Sequence, residues 1–315
     1  MGNLSALNDT RIGVICNPNA GHLLRRPELP SELRALLGDE GEVVVTESVA
    51  DVPAAVAHFR REKVALVASC GGDGTSVCTL TELVRNAGSE LPVLAFLPGG
   101  TVNTIARNLG VTGSPRAAFA RLVTRLRRRD ALPIAQHDVL KVGERYGFLF
   151  AAAMGARFLQ EYYQRTPGPL SAAGLGLHTV GSCLFRGRLA QRLFAPTPME
   201  IVIDGKSDHT VIAPRYVVAA TIADVGLGMR VAWRAGSLPG RMHLIASELS
   251  TANMALQLHK TISGRPLTGE RHLDRLASQV ELRFAEPQVY TLDGELYTAR
   301  TVSIGMGPRL QILRF

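Results

Sequence analysis

Val64-Ala65-Leu66-Val67-Ala68-Ser69-Cys70-Gly71-Gly72-Asp73-Gly74-Thr75 and, further on, Leu91-Pro92-Val93-Leu94-Ala95-Phe96-Leu97-Pro98-Gly99-Gly100-Thr101-Val102-Asn103 decide the fold class. Each stretch is an apolar run with the texture of a strand buried on both faces, then a glycine turn, then helix-like sequence. An open α/β sheet binds its ligand at the carboxyl ends of such strands. Glycines there let backbone N–H groups approach an anion with no Cβ in the way, and the next helix adds its positive N-terminal end. One such turn is more often a tight loop than a nucleotide site, but two in register describe a phosphate cradle. Asp73 sits inside the cradle, and a carboxylate beside phosphates needs a bridging cation, a hydroxyl or an amine. The ligand expected is a nucleotide with a metal.

Other phosphate-binding patterns fail. Gly205-Lys206-Ser207 has the tail of G-x-x-x-x-G-K-[ST], but Glu200 stands at its first glycine, and Ile201–Gly205 reads as a hairpin with an Asp-Gly turn. Gly174-Leu175-Gly176 is followed by Thr179 where G-x-G-x-x-G needs its third glycine. The catalytic and metal-binding loops of protein kinases are absent.

Four ordered motifs carry a resemblance. Asn17-Pro18-Asn19-Ala20-Gly21 after the strand Ile12–Cys16, the G-G-D-G-T turn, Pro98-Gly99-Gly100-Thr101-Val102-Asn103, and Asp293-Gly294-Glu295 together resemble the diacylglycerol kinase catalytic-domain family. That family includes soluble bacterial lipid kinases, sphingosine kinases and ceramide kinases, and is distantly similar to NAD kinases. The resemblance implies a Rossmann-like, NAD-kinase-like α/β lobe, a mainly β lobe, and an active site in the cleft between them. It implies that Asn17, Pro18, Asn19, Ala20 and Gly21 contact nucleotide phosphates and that Thr46 sits beside the nucleotide. Gly71, Gly72, Asp73, Gly74 and Thr75 would hold ATP, with Asp73 on the catalytic Mg2+ that ATP carries, and Gly100, Thr101 and Asn103 would complete the pocket. Asp293, with Glu295 beside it, would take the proton from the lipid hydroxyl; an alcohol is a poor nucleophile at neutral pH, and a carboxylate within hydrogen-bond reach remedies that. On spacing alone Asp293-Gly294 is a hairpin turn between Gln288–Leu292 and Leu296–Ser303, and both readings can hold. The chain departs from the family at Val77, Cys78 and Thr104, and Pro239 stands where some bacterial members place an Asp that supports a structural magnesium.

A length of 315 residues suggests two domains, expected at 1–132 (nucleotide-binding) and 133–315 (lipid substrate). Helical stretches alternate with strands at 32–37, 52–61, 77–85, 103–109 and 115–128. Short strands then dominate at 135–142, 146–153, 199–203, 216–223, 229–233, 242–246, 279–284 and 310–313. Cys16, Cys70, Cys78 and Cys183 show no C-x-x-C, so reduced thiols and a cytoplasmic setting are expected. Residues 1–6 lack signal-peptide and myristoylation patterns. Residues 166–185 are uncharged but rich in Gly and Pro, which suits an amphipathic, membrane-contacting lid backed by Arg186, Arg188 and Arg192; a core-packed helix is the competing reading.

A formal charge of +8 attracts an anionic membrane or nucleic acid, but aromatics make up only 5% of the chain and no nucleic-acid module is visible. The function expected is ATP-dependent phosphorylation of a hydroxyl on diacylglycerol or a sphingoid-like lipid, by a cytoplasmic protein that binds the membrane peripherally. The alternatives are a non-catalytic lipid- or nucleotide-binding regulator and a kinase of a soluble alcohol. A homodimer is left open.

Overall fold

The structure is a computed structural model that describes residues 11–86, 91–130, 132–164, 169–184 and 187–315. The chain groups into two units, Met1–His137 with Pro308–Phe315, and Asp138–Gly307. Against the expected 1–132 and 133–315, the last residues of the chain return to the first unit, where Ile312 pairs with Leu94.

The first unit contains, in chain order, β1 (Ile12–Cys16), α1 (Leu29–Leu37), β2 (Gly41–Val45), α2 (Val52–Arg61), β3 (Leu66–Gly71), α3 (Asp73–Asn86), β4 (Val93–Pro98), α4 (Thr104–Asn108) and α5 (Pro115–Arg127). Every residue of β1, β3 and β4 is buried, which is why these strands read as unbroken apolar runs. They pair in parallel in the order β4-β3-β1-β2. The order reverses between β1 and β3, and such a switch point opens a crevice at the carboxyl ends of the strands. The helices bury one stripe each: Leu29, Leu33 and Leu37 of α1, and Ala118, Phe119, Leu122 and Val123 of α5. Ser114 caps α5 by accepting from the Ala117 N–H at 3.2 Å, a contact worth about 1 kcal/mol.

The chain continues with β5 (Ile134–Val142), β6 (Arg145–Gly147), β7 (Leu149–Ala153), α6 (Met154–Tyr163), α7 (Pro169–Leu184), α8 (Arg188–Leu193), β8 (Met199–Ile203), β9 (Lys206–Asp208), β10 (Tyr216–Ala220), β11 (Met242–Ser247), α9 (Thr251–Leu256), α10 (Leu258–Ser263), β12 (His272–Ala277), β13 (Gln279–Leu292) and β14 (Glu295–Leu313). In the second unit β12-β11-β10-β7-β13-β14 follow one another, antiparallel, with β8 paired to Val280–Phe284 of β13. Their inward residues, among them Phe150, Val217, Leu244, Leu282 and Leu292, form one core. The expected fold class therefore holds: an α/β unit and a mainly β unit.

Three expectations change. Met229–Trp233 is loop and turn, not strand, its start held by local bonds: Val225 N–H to Met229 O, and Met229 N–H to Gly226 O. The strand expected over 146–153 breaks at Phe148, whose N–H is given to a carboxylate and whose carbonyl accepts from Thr221. The helix expected over 77–85 begins at Asp73, so the glycine turn is itself the first turn of α3.

The uncharged stretch forms α7, where Leu175 and Cys183 pack with Tyr162, Leu189 and Leu193 while Leu177 is 76% exposed. Among the described residues no helix is long and apolar enough to cross a membrane. Residues 166–168, 185 and Arg186 lie outside the described residues, Arg188 is exposed, and Arg192 pairs with Glu161 at 2.6 Å.

Candidate active site

Parallel register brings three loops of the first unit together. Cys16 pairs with Cys70 and Gly71 with Pro98, so β1, β3 and β4 end at one level. The Asn17 N–H donates to the Cys70 carbonyl at 3.1 Å, and the Asn17 amide reaches Thr75 Oγ1 at 3.0 Å. Asn17 also accepts from the Asn19 N–H at 2.9 Å, closing an Asx turn through Pro18. Ala20 is buried, and the neighbouring Gly21 lies against Thr101. Thr46, 2% exposed, gives both its N–H (2.9 Å) and its hydroxyl (3.2 Å) to the Cys16 carbonyl, which fixes the end of β2 beside Asn17.

The two glycine turns touch backbone to backbone. A Cβ on Gly100 would stand 2.4 Å from the Gly72 Cα, a clash that no side-chain rotation relieves. Asn103, at φ 55°, pins Gly100 from both sides, accepting its N–H at 2.7 Å and donating to its carbonyl at 2.9 Å. The Asp73 carboxylate then clasps the turns together: Oδ2 accepts the Thr104 N–H and Oδ1 the Ile105 N–H, both at 3.0 Å. Asp73 thereby caps α4 from a different loop, satisfying N–H groups that a helix start leaves without partners. The residue keeps partial exposure but its carboxylate is enclosed; burial pushes it above the usual carboxylate range against the lowering effect of the two donors.

The cradle fits phosphates: crowded glycine backbone, the Asn17 and Thr75 side chains and the start of α3 converge on the switch point. A protein-held metal fits it less well. Both Asp73 oxygens already accept N–H bonds, and among the described residues no group of three or more His, Cys, Asp and Glu gathers. At the positions that depart from the family, Val77 is buried in the core, Cys78 is half-buried, and Pro239 is exposed in a turn whose neighbour Gly240 donates to Asp138 at 3.1 Å.

In the second unit, Leu292 pairs with Glu295, making Asp293-Gly294 a two-residue hairpin turn with φ of 46° and 97°. Asp293, 6% exposed, turns inward: Oδ2 accepts the Phe148 N–H at 2.7 Å and Oδ1 the Leu149 N–H at 3.0 Å, while its own N–H donates to the Leu149 carbonyl at 2.8 Å. Gly147 makes this possible, since a Cβ there would lie 2.2 Å from Asp293 Oδ2. The Gly294 carbonyl accepts from Tyr163 at 2.9 Å. Glu295 is exposed on the next strand position. Sequence reading found both carboxylates but not their partners, because backbone N–H groups leave no residue signature; Gly147 before Phe148 was the one available signal.

Comparisons with known proteins agree with this arrangement. Residues 11–133 match the family described as diacylglycerol kinase catalytic domain. Lipid kinase YegS of Escherichia coli (strain K12) is 33% identical over 141 residues, covering 44% of this chain and 44% of that protein. The chain thus spans less than half the length of that relative in the match. The probable lipid kinase YegS-like protein of Enterobacter sp. (strain 638) is 24% identical over 302 residues, 94% of this chain and 92% of its own. A diacylglycerol kinase from Bacillus anthracis str. Sterne has the same fold, with a TM-score of 0.67 at 16% identity over 97% of each chain. Over its residues 11–133, the chain is thus similar to the diacylglycerol kinase catalytic domain.

Proposed function

We propose that the protein is an ATP-dependent lipid kinase that transfers the γ-phosphoryl group to a hydroxyl of diacylglycerol or a sphingoid-like lipid. The observation that carries this reading is the clasped pair of glycine turns at the switch point, with Asn17 and Thr75 bonded across it. Phosphoryl transfer asks little covalent chemistry of a protein; it asks that phosphates be positioned and their charge stabilised, which a rigid N–H-rich cradle does. A divalent cation would arrive on the ATP phosphates.

The two carboxylates of the hairpin divide the remaining work. Asp293 is enclosed, and both of its carboxylate oxygens are taken by backbone N–H donors. It is the positioning residue that sets the turn. Glu295, exposed beside it, is the proton acceptor for the lipid hydroxyl. Substrate lipids lie in membranes, so the protein works as a peripheral membrane protein.

Turnover and ATP affinity of Glu295→Gln test the assignment. Loss of about a hundredfold or more in turnover is expected, since general-base catalysis contributes roughly 10²–10⁴-fold, with ATP affinity unchanged. Parent-like turnover would remove Glu295 from the chemistry.

A further inference from the structure

Large apolar side chains are exposed on one part of the second unit. Leu177 of α7 is 76% exposed, Leu256 of α9 72% and Ile262 of α10 56%, and Leu227 stands 38% exposed at a Gly-Leu-Gly tip. These residues belong to one layer. Met254 and Ala255 of α9 pack beneath α7 on the cluster that holds Leu175 and Cys183. Leu227 lies against Gly176, next to Leu177, and Arg230 donates its N–H to the Thr261 carbonyl of α10 at 2.7 Å. Leu227 is held at φ 56°, a backbone conformation that β-carbon-bearing residues disfavour, with glycines on both sides.

Basic residues outnumber acidic ones around the layer, whose nearest carboxylates in sequence are Asp224, Glu248 and Glu270 at the edges of its segments. The stretches 225–241 and 249–269 contain no Asp or Glu, and they carry Arg230 and Arg265, both exposed. Exposed leucines beside the exposed Arg230 and Arg265 are the composition of a surface that enters the boundary of an anionic bilayer, the apolar side chains inserting and the cations meeting headgroups.

We infer that α7, α9, α10 and the 225–229 tip form a membrane-docking face that inserts Leu177, Leu227, Leu256 and Ile262 into an anionic lipid surface. The inference rests on the lipid-kinase reading for its purpose but is tested without it. Sedimentation with vesicles of phosphatidylcholine and phosphatidylglycerol, against phosphatidylcholine alone, should show binding of the parent to the anionic vesicles. The combined Leu177→Gln, Leu256→Gln and Ile262→Gln variant should bind at least about a hundredfold more weakly, since each inserted side chain contributes roughly tenfold. Arg230→Gln with Arg265→Gln should weaken binding by about tenfold or more at low salt, the difference vanishing at high salt. Turnover on a short-chain diacylglycerol dissolved as monomers should be the same in all variants, which also shows that they are folded. A parent that ignores anionic vesicles, a leucine variant that binds them as the parent does, or a dimer that these substitutions dissolve without altering vesicle binding would each overturn the docking face. Failure of the kinase reading shows separately, as absence of phosphorylation of the short-chain lipid by the parent.

Discussion

Asp73 and Asp293 are both aspartates of glycine turns, and each gives its two carboxylate oxygens to the N–H groups of consecutive residues, Thr104 and Ile105 in one unit, Phe148 and Leu149 in the other. They differ in what they join. Asp73 ties two loops that leave different strands, over a contact of bare glycine backbone, whereas Asp293 ties a hairpin turn to the neighbouring strand of its own sheet. A motif aspartate can thus be the fastener of a turn, both of its oxygens spent on backbone N–H groups.

The largest effect is expected from Asp293→Ala. It strips partners from two N–H groups, one on the fully buried Phe148, and places Ala at φ 46°, so stability should fall by about 3 kcal/mol in urea denaturation. A loss below about 1 kcal/mol would break the fastener reading on the sheet side. Gly100→Ala should come next. Its Cβ meets the Gly72 Cα at 2.4 Å, so the two turns must part, at a cost of about 1–3 kcal/mol, and equilibrium binding of ATP should weaken at least about tenfold, since about 1.4 kcal/mol of lost contact is tenfold.

Asp73→Asn is milder, because an amide oxygen still accepts one of the two N–H groups; about 1 kcal/mol is expected. Its pH dependence sharpens the contrast. The Asp73 carboxyl is raised by burial in the folded protein, so its contribution to stability is fully present below the unfolded carboxylate value and declines as pH rises through the folded one. The parent's margin over Asp73→Asn should therefore be wider near the ordinary carboxylate range than at neutral pH, as read from denaturation curves at the two pH values. A margin that widens with rising pH would mean that the two N–H donors outweigh burial. Smallest is Tyr163→Phe, which removes one partly exposed hydrogen bond to Gly294 and should cost below about 1 kcal/mol in thermal unfolding.

Much of the first unit was legible in the sequence. Strands buried on both faces are continuous apolar runs, and α2 falls at the expected 52–61 because its apolar stripe repeats with helical spacing. The start of α3 was hidden, since Gly72 and Gly74 read as loop although the helix begins at Asp73. In the second unit, Val231 and Trp233 have strand-like composition, yet local turns and the Trp233 indole bond to Asp274 at 3.2 Å hold that segment as a loop. Motif spacing located the glycine turns and the Asp-Gly-Glu hairpin. It could not reveal that both aspartates face backbone, because the receiving N–H groups belong to residues of any type.

Incubation with γ-labelled ATP, magnesium and a mixed lipid extract, comparing the parent with Glu295→Gln, tests the central claim most directly. The account predicts a labelled phosphate ester on a lipid hydroxyl with the parent and about a hundredfold less with the variant. Absence of labelled lipid with the parent would contradict the kinase reading.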